Sequence, residues 1–178
     1  LTTGGGGMIA TGNPEWAAHA KHLTTQAKAS RTEFIHDEIG YNYRLTNVAA
    51  AMGCAQLERI EHHLGRKREI ARRYLQGFAG FTPDLQCVDP GTRTHSSWWM
   101  FTVRLNPRTA RPAREVRQTL AQQGIESRPL WQPMHRSPAH ADCQAWHCEQ
   151  ADSLCDEALS LPCSVGLSES DQNLVLRS

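Results

Sequence analysis

Apolar residues recur at helical spacing from Thr46 to Phe78, and no other stretch of the chain constrains the fold as tightly. Val48, Ala51, Met52, Ala55, Ile60 and Leu64 make the first part of a stripe, with Glu58, Arg59, Glu61 and His62 between them. Gly65 interrupts it, and Ile70, Ala71, Tyr74, Leu75 and Phe78 take it up again. Thr46 or Asn47 supplies a start, while Gly77 and Gly80, followed by Pro83, supply a stop. The segment is therefore one long bent helix or two helices in succession. Arg66, Lys67, Arg68, Arg72 and Arg73 with Glu69 occupy the opposite face, the composition of a solvated helix surface. A division of the chain is expected inside this segment, giving parts 1–65 and 66–178.

On either side the pattern changes. Met8 to Thr11 is short and apolar and reads as a strand, and Asn13-Pro14-Glu15 reads as the start of a helix running to about Leu23. Lys28 to Glu38 shows no period and is expected as an extended loop. After Pro83 strands and helices alternate. Ser97 to Leu105 is aromatic and β-branched, the best strand in the sequence. Pro112 leads a helix from Ala113 to Gln123 with Gly124 as its cap, and Ile125 to Arg128 is short and extended. A helix from about Cys148 to Ala158 and another from Ser168 complete a βαβ-like unit, so the class is α/β.

A chain of 178 residues, 39% hydrophobic and 21% charged, can bury a core, and a net charge of +1 draws in neither nucleic acid nor an anionic membrane. Arg104, Arg108, Arg111, Arg114 and Arg117 lack the aromatic interleaving of a nucleic-acid surface and read as solvated. No run of about 18 apolar residues spans a bilayer, and the N-terminal residues lack the pattern of a signal peptide. Six cysteines, four of them in the last 36 residues, are expected as reduced thiols of a cytoplasmic protein, because a chain of this size needs no staples. His140, Cys143, His147, Cys148, Cys155 and Cys163 contain no Cys-x-x-Cys pair, so no metal is expected.

Three runs carry candidate chemistry. Gly4 to Gly7 leave amides unshielded and permit positive φ, which suits a phosphate cradle or a plain tight turn. Neither a Walker loop nor a dinucleotide fingerprint fits, since Met8-Ile9-Ala10 follows the glycines. Tyr41, Asn42, Tyr43 and Arg44 set phenols, an amide and a guanidinium just before a helix N-terminus, an arrangement fit for an oxyanion. The same residues would serve as a cap and a packed aromatic pair. In Arg128-Pro129-Leu130-Trp131-Gln132-Pro133-Met134-His135 the prolines hold an extended segment that positions Trp131 and His135.

Leu1-Thr2-Thr3-Gly4-Gly5-Gly6-Gly7-Met8 and Gly40-Tyr41-Asn42-Tyr43-Arg44-Leu45-Thr46 resemble the DegT/DnrJ/EryC1/StrS family of pyridoxal-phosphate-dependent nucleotide-sugar aminotransferases. The likeness extends through His36 to Gly40, Gly53 to Glu58 and the Arg128 run to Leu161-Pro162-Cys163-Ser164. It implies the C-terminal part of a fold-type-I transferase: the end of the large cofactor-binding domain, a long helix and a small α/β domain. In the family the Schiff-base lysine directly precedes the glycine-rich turn, so the resemblance implies that it lies upstream of Leu1. No catalytic residue is then assigned in this chain, and the fragment alone is expected to be inactive.

The resemblance further implies pyridoxal 5'-phosphate as cofactor, a homodimer, and Asn42 reaching the phosphate of the partner's cofactor. Tyr41, Tyr43, Arg44, Trp131 and His135 fall to the substrate pocket or the subunit interface; Gln132 stands where relatives often have lysine. The implied reaction moves an amino group from glutamate, or glutamine, to a 4-keto-6-deoxy nucleotide sugar for surface polysaccharide. A sugar dehydratase of the same superfamily and a non-catalytic binding or assembly module are the alternatives.

Overall fold

Residues 1–91 and 93–178 are described by a computed structural model, and they form two units, Leu1–Ile60 and Glu61–Ser178. The division falls a few residues before the expected one. It lies next to a break in the long helical segment, which is two helices in succession.

In the first unit, α1 (Pro14–Thr24) begins where Asn13 Oδ1 accepts from the amides of Glu15 and Trp16 at 2.9 and 3.3 Å. This side chain satisfies two of the donors that a helix start leaves free. α2 (Asn47–Leu57) starts in the same way, with Thr46 Oγ1 accepting from Ala49 N at 3.2 Å. Arg59 N then bonds to Gln56 O, a tightened turn that closes α2 before α3 (Ile60–Gly77) opens. Gly65, the interruption in the sequence, lies inside α3 without breaking it. The expected strand from Met8 to Thr11 is absent: Met8 is 92% exposed, and no described segment pairs with this one. Without a partner, apolar residues in an extended run make no ladder.

The second unit is built on a four-stranded sheet ordered β1 (Leu85–Cys87), β2 (Phe101–Leu105), β4 (Ala158–Leu161), β3 (Arg128–Pro129). Every pairing is antiparallel, with Val103 opposite Leu159 and Arg128 opposite Ser160. The expected βαβ unit is present in split form. β2 and β3 flank β4, both run antiparallel to it, and are joined through α4 (Ala113–Gln122). Gly124, at φ +75°, ends that helix. α5 (Glu149–Glu157) leads into β4, and α6 (Glu169–Arg177) starts at Ser168, whose hydroxyl accepts from Asp171 N at 3.1 Å.

The strand expected from Ser97 begins only at Phe101, because Trp98, at φ +49°, turns the chain out of extended form. Along β2 the residues Phe101, Val103 and Leu105 are buried and Thr102 and Arg104 half-buried, so alternation marks the strand. All four residues of β4 are buried, and it has no alternation to read. Ile70, Ala71 and Tyr74 of α3 pack in the core, where the Tyr74 ring lies 4.8 Å from that of Phe101. The Tyr74 hydroxyl donates to Pro162 O at 2.9 Å. Gln172 of α6, 1% exposed, donates to Ile70 O at 2.7 Å.

Two basic clusters expected as solvated surface are partly structural. Arg66 donates to Leu167 O, Lys67 to Trp99 O and Cys163 O, and Arg73 reaches Asn173 and Glu169. Arg104 joins β2 to α5 through Glu157 at 2.7 Å and Ser153 at 2.8 Å. All six cysteines are free thiols, and among the described residues no helix is long and apolar enough to cross a membrane.

Candidate functional site

The Gly40–Thr46 run is fixed by the end of α1. Tyr41 N donates to Leu23 O at 2.7 Å and Tyr43 N to Thr24 O at 3.0 Å, while Gln26 N donates to Tyr41 O at 3.0 Å. Carbonyls that a helix C-terminus would leave free are thus satisfied by the motif itself. To bring the two segments together the chain adopts positive φ at Gln26 (71°) and Ala27 (49°), and Ala27 is fully buried. Left-handed backbone at non-glycine residues costs energy and persists only where surrounding contacts hold it. Gly40 is required for the same close approach: a Cβ there would lie 2.8 Å from Gln26 Cα and nearer still to Gln26 C and Ala27 N.

A second layer of bonds ties down the loop leading to Gly40. His36 Nδ1 bonds Gln26 O at 2.7 Å, and His22 Nε2 bonds Asp37 Oδ1 at 2.6 Å. The His22 hydrogen bond holds the Asp37 carboxyl below its ordinary range. His22, Asp37 and Glu38 bring three donor atoms within 4.8 Å of one another, a grouping that no sequence spacing announced. The contacts present are imidazole–carboxylate pairs, His22 with Asp37 and His19 with Glu38 at 3.6 Å.

The glycine run meets the same motif from the other side. Gly4 and Gly6 have φ of +78° and +104°, and a Cβ on Gly6 would lie 2.6 Å from Leu45 Cδ1. Gln56 fixes the approach of the chain, accepting from Thr2 N at 2.9 Å and donating to Thr2 O at 2.6 Å. The chain bends at Gly4 and Gly5, and Gly5 to Gly7 line a cavity of about 1080 Å³. That cavity lies wholly within the Leu1–Ile60 unit.

Asn42, Tyr43 and Arg44 line the cavity, together with Thr24, Thr25 and Thr46. Tyr41 does not line it but stacks on Tyr43, with ring centroids 5.1 Å apart and planes at 15°. Asn42 is held by its backbone in a bridge to Thr25. No carboxylate is among the lining residues. A cavity with amides, hydroxyls, a guanidinium and no acid is suited to an anion, and a phosphate monoester fits these donors. Lys21 also lines it, a residue that sequence reasoning missed because it sits in an unremarkable last helical turn.

Trp131 and His135 belong to the other unit. Trp131 is 68% exposed and stacks on Trp99, equally exposed, with centroids 5.8 Å apart. In the sequence Trp99 is marked only by the strand composition of Ser97 to Leu105, which gives no sign of this pairing. His135 is committed to α5: its Nε2 bonds Asp152 Oδ1 at 2.9 Å. Arg136 bonds both Asp156 oxygens, at 2.9 and 3.1 Å, which raises its own basicity and depresses that of Asp156. His135 thus holds its segment in place.

The whole chain, residues 1–178, matches the model of the DegT/DnrJ/EryC1/StrS aminotransferase family. It is 34% identical over 176 residues to a GDP-perosamine synthase of Caulobacter vibrioides, covering 99% of this chain and 47% of that protein. It is 30% identical over 180 residues to a putative pyridoxal phosphate-dependent aminotransferase, EpsN, of Bacillus subtilis, covering 99% of this chain and 46% of that protein. The crystal structure of the aminotransferase TlmJ from Streptoalloteichus hindustanus superimposes with a TM-score of 0.87 at 30% identity, over 98% of this chain and 46% of that one. The chain spans about half the length of the curated relatives it matches. Its α/β architecture is that of the C-terminal region of these fold-type-I transferases, and the Bacillus relative is named for dependence on pyridoxal phosphate. With its glycine turn and Gly40–Thr46 run joined at one cavity and its full length matched, the chain belongs to the DegT/DnrJ/EryC1/StrS aminotransferase family.

Proposed function

We propose that this chain forms part of a nucleotide-sugar aminotransferase that moves an amino group from glutamate to a 4-keto-6-deoxy sugar for surface polysaccharide. The observation carrying the proposal is the carboxylate-free cavity that holds Asn42 and Arg44 beside the glycine turn. Pyridoxal phosphate, when bound, supplies the electron sink through which the amino group passes. The chain's own residues bind and orient. The Asn42 amide donates to the cofactor phosphate, and Arg44 offers a guanidinium to substrate or to the neighbouring subunit. The clasp between α1 and Gly40–Tyr43 fixes both before any ligand arrives.

In this reading Asn42 serves the cofactor of a second subunit, so the working enzyme is a homodimer, and the Schiff-base lysine lies outside residues 1–178. Within the other unit Trp131 stacks on Trp99 and His135 ties the same segment to α5, which leaves Trp131 available to substrate or to the neighbouring subunit. The GDP named for the Caulobacter relative favours a GDP-linked sugar as the first substrate to try. The test is amine formation by the polypeptide containing this chain, given glutamate, pyridoxal phosphate and a GDP-4-keto-6-deoxy sugar. Mass spectrometry of the sugar product should show the ketone oxygen replaced by nitrogen. Unchanged keto sugar with every nucleotide tried, or loss of a ring hydroxyl in place of amination, defeats the proposal.

A further inference from the structure

We propose that Lys21 is a ligand for the organic phosphate that enters the cavity of the Leu1–Ile60 unit, acting with Arg44 as a pair of cations. The inference rests on the phosphate-site reading of that cavity and adds to it a residue outside every motif of the sequence. Lys21 and Arg44 both line the cavity, and no Asp or Glu does. Among the described residues neither makes an ion pair. Two cations lining one cavity without a carboxylate among its lining residues give it a positive potential that an anion would meet.

Of the two helix termini at this cavity one favours an anion and the other, which would oppose it, is capped. Lys21 lies in the last turn of α1, where free carbonyls would ordinarily give negative potential. Those carbonyls are occupied. Lys21 O accepts from Thr24 Oγ1 and Thr25 Oγ1, at 3.1 and 2.8 Å, and His22 O accepts from Ala27 N at 2.9 Å. Leu23 O and Thr24 O accept from the Tyr41 and Tyr43 amides. The negative end of α1 is thereby capped by donors, whereas α2 brings its N-terminal residues Thr46 and Ala49, and so its positive end, to the cavity. Charge, capping and dipole together make this a site for a phosphate dianion or a diphosphate, the chemistry shared by the cofactor and the sugar nucleotide.

Calorimetric titration of the full chain with two probes tests this: pyridoxine 5'-phosphate, which has no aldehyde to condense with lysine, and GDP. Lys21→Gln should weaken one or both by about tenfold, the size of a lost charge-assisted contact. Lys21→Arg should retain most of the affinity. Lys28→Gln, whose ammonium lies over the Phe34 ring 4.5 Å from its centroid, should leave both titrations unchanged. Loss confined to pyridoxine phosphate assigns Lys21 to the cofactor; loss confined to GDP assigns it to the substrate. Equal affinities for Lys21→Gln and unaltered chain overturn the inference, as does no binding of either probe at millimolar concentration. If transamination fails while Lys21→Gln still loses phosphate, the aminotransferase reading falls and Lys21 stands. If transamination proceeds while Lys21→Gln leaves binding untouched, the aminotransferase reading stands and Lys21 falls.

Discussion

The two units are held together by different forces. In Glu61–Ser178, side chains from Ile70 to Val175 form one buried apolar cluster around Tyr74 and Phe101. In Leu1–Ile60, Ala27 is the one buried apolar residue among those described, while Phe34 and Ile39 are 89% and 84% exposed. There the order comes from backbone hydrogen bonds, caps and glycine-dependent close approach. The unit with the better core carries little of the candidate chemistry, and the unit without one carries the cavity. A binding loop drawn from polar contacts can be adjusted to a ligand without repacking a core, at the cost of lower local stability.

The largest expected effect lies in the core. Tyr74→Ala removes a ring stacked on Phe78 and tilted against Phe101 and leaves Pro162 O without its donor. A loss of about 3–5 kcal/mol in urea unfolding is expected. Tyr74→Phe keeps the packing and should cost about 1 kcal/mol. If the two variants unfolded alike, burial would not be what holds this unit. Arg104→Ala is expected to come next, at about 2 kcal/mol, because it leaves the half-buried Glu157 and Ser153 without their partner.

Legibility in the sequence follows the same contrast. Helices announced themselves through caps: Asn13, Thr46 and Ser168 each accept the amide bonds their positions promised. β2 could be read because its residues are aromatic and β-branched, whereas β4, Ala-Leu-Ser-Leu and buried along its length, carries neither that composition nor an alternation. Gly65 marks an interruption of the apolar stripe that leaves one bent helix or two open, whereas the break itself follows Leu57, at a tightened turn with no marker of its own. Of the residues that line the cavity, Asn42 and Arg44 stand out in the sequence because the Gly40–Thr46 run is local. Lys21 and Thr25 do not, because only the reversal at Gln26–Ala27 brings the end of α1 beside that run. The roles of Arg104 and Lys67 were likewise hidden, their partners lying more than thirty residues away.

Gly40→Ala tests the polar unit on its own terms. Its Cβ would meet backbone atoms of Gln26 and Ala27, which cannot rotate aside. The expected result is local opening: Tyr41 and Tyr43 amides exchange about tenfold faster, consistent with a lost closing free energy of order 1 kcal/mol, while the urea midpoint reporting Tyr74 is retained. Unchanged exchange would show that the clasp tolerates a side chain and that the motif's glycine serves another purpose.

The smallest effect expected is a response to acid, which compares one carboxylate from each unit. Asp37 is held below its ordinary value of 3.8 by its hydrogen bond to His22, and Asp156 by its hydrogen bond to Arg136. Both are exposed, so the effect is screened by salt and modest. Since folding depresses each pKa, each contribution is fully present above the unfolded value and is lost as pH falls through the lower folded one. Carboxyl resonances followed by carbon NMR should therefore titrate below 3.8 for both residues. Protonating Asp37 should loosen the loop before Gly40, and protonating Asp156 should loosen the Arg136 end of the Trp131 segment. Asp37→Asn should abolish the first response and spare the second, and Asp156→Asn should do the reverse. A carboxyl that titrates at or above 3.8 removes its bond from the forces assigned to that unit.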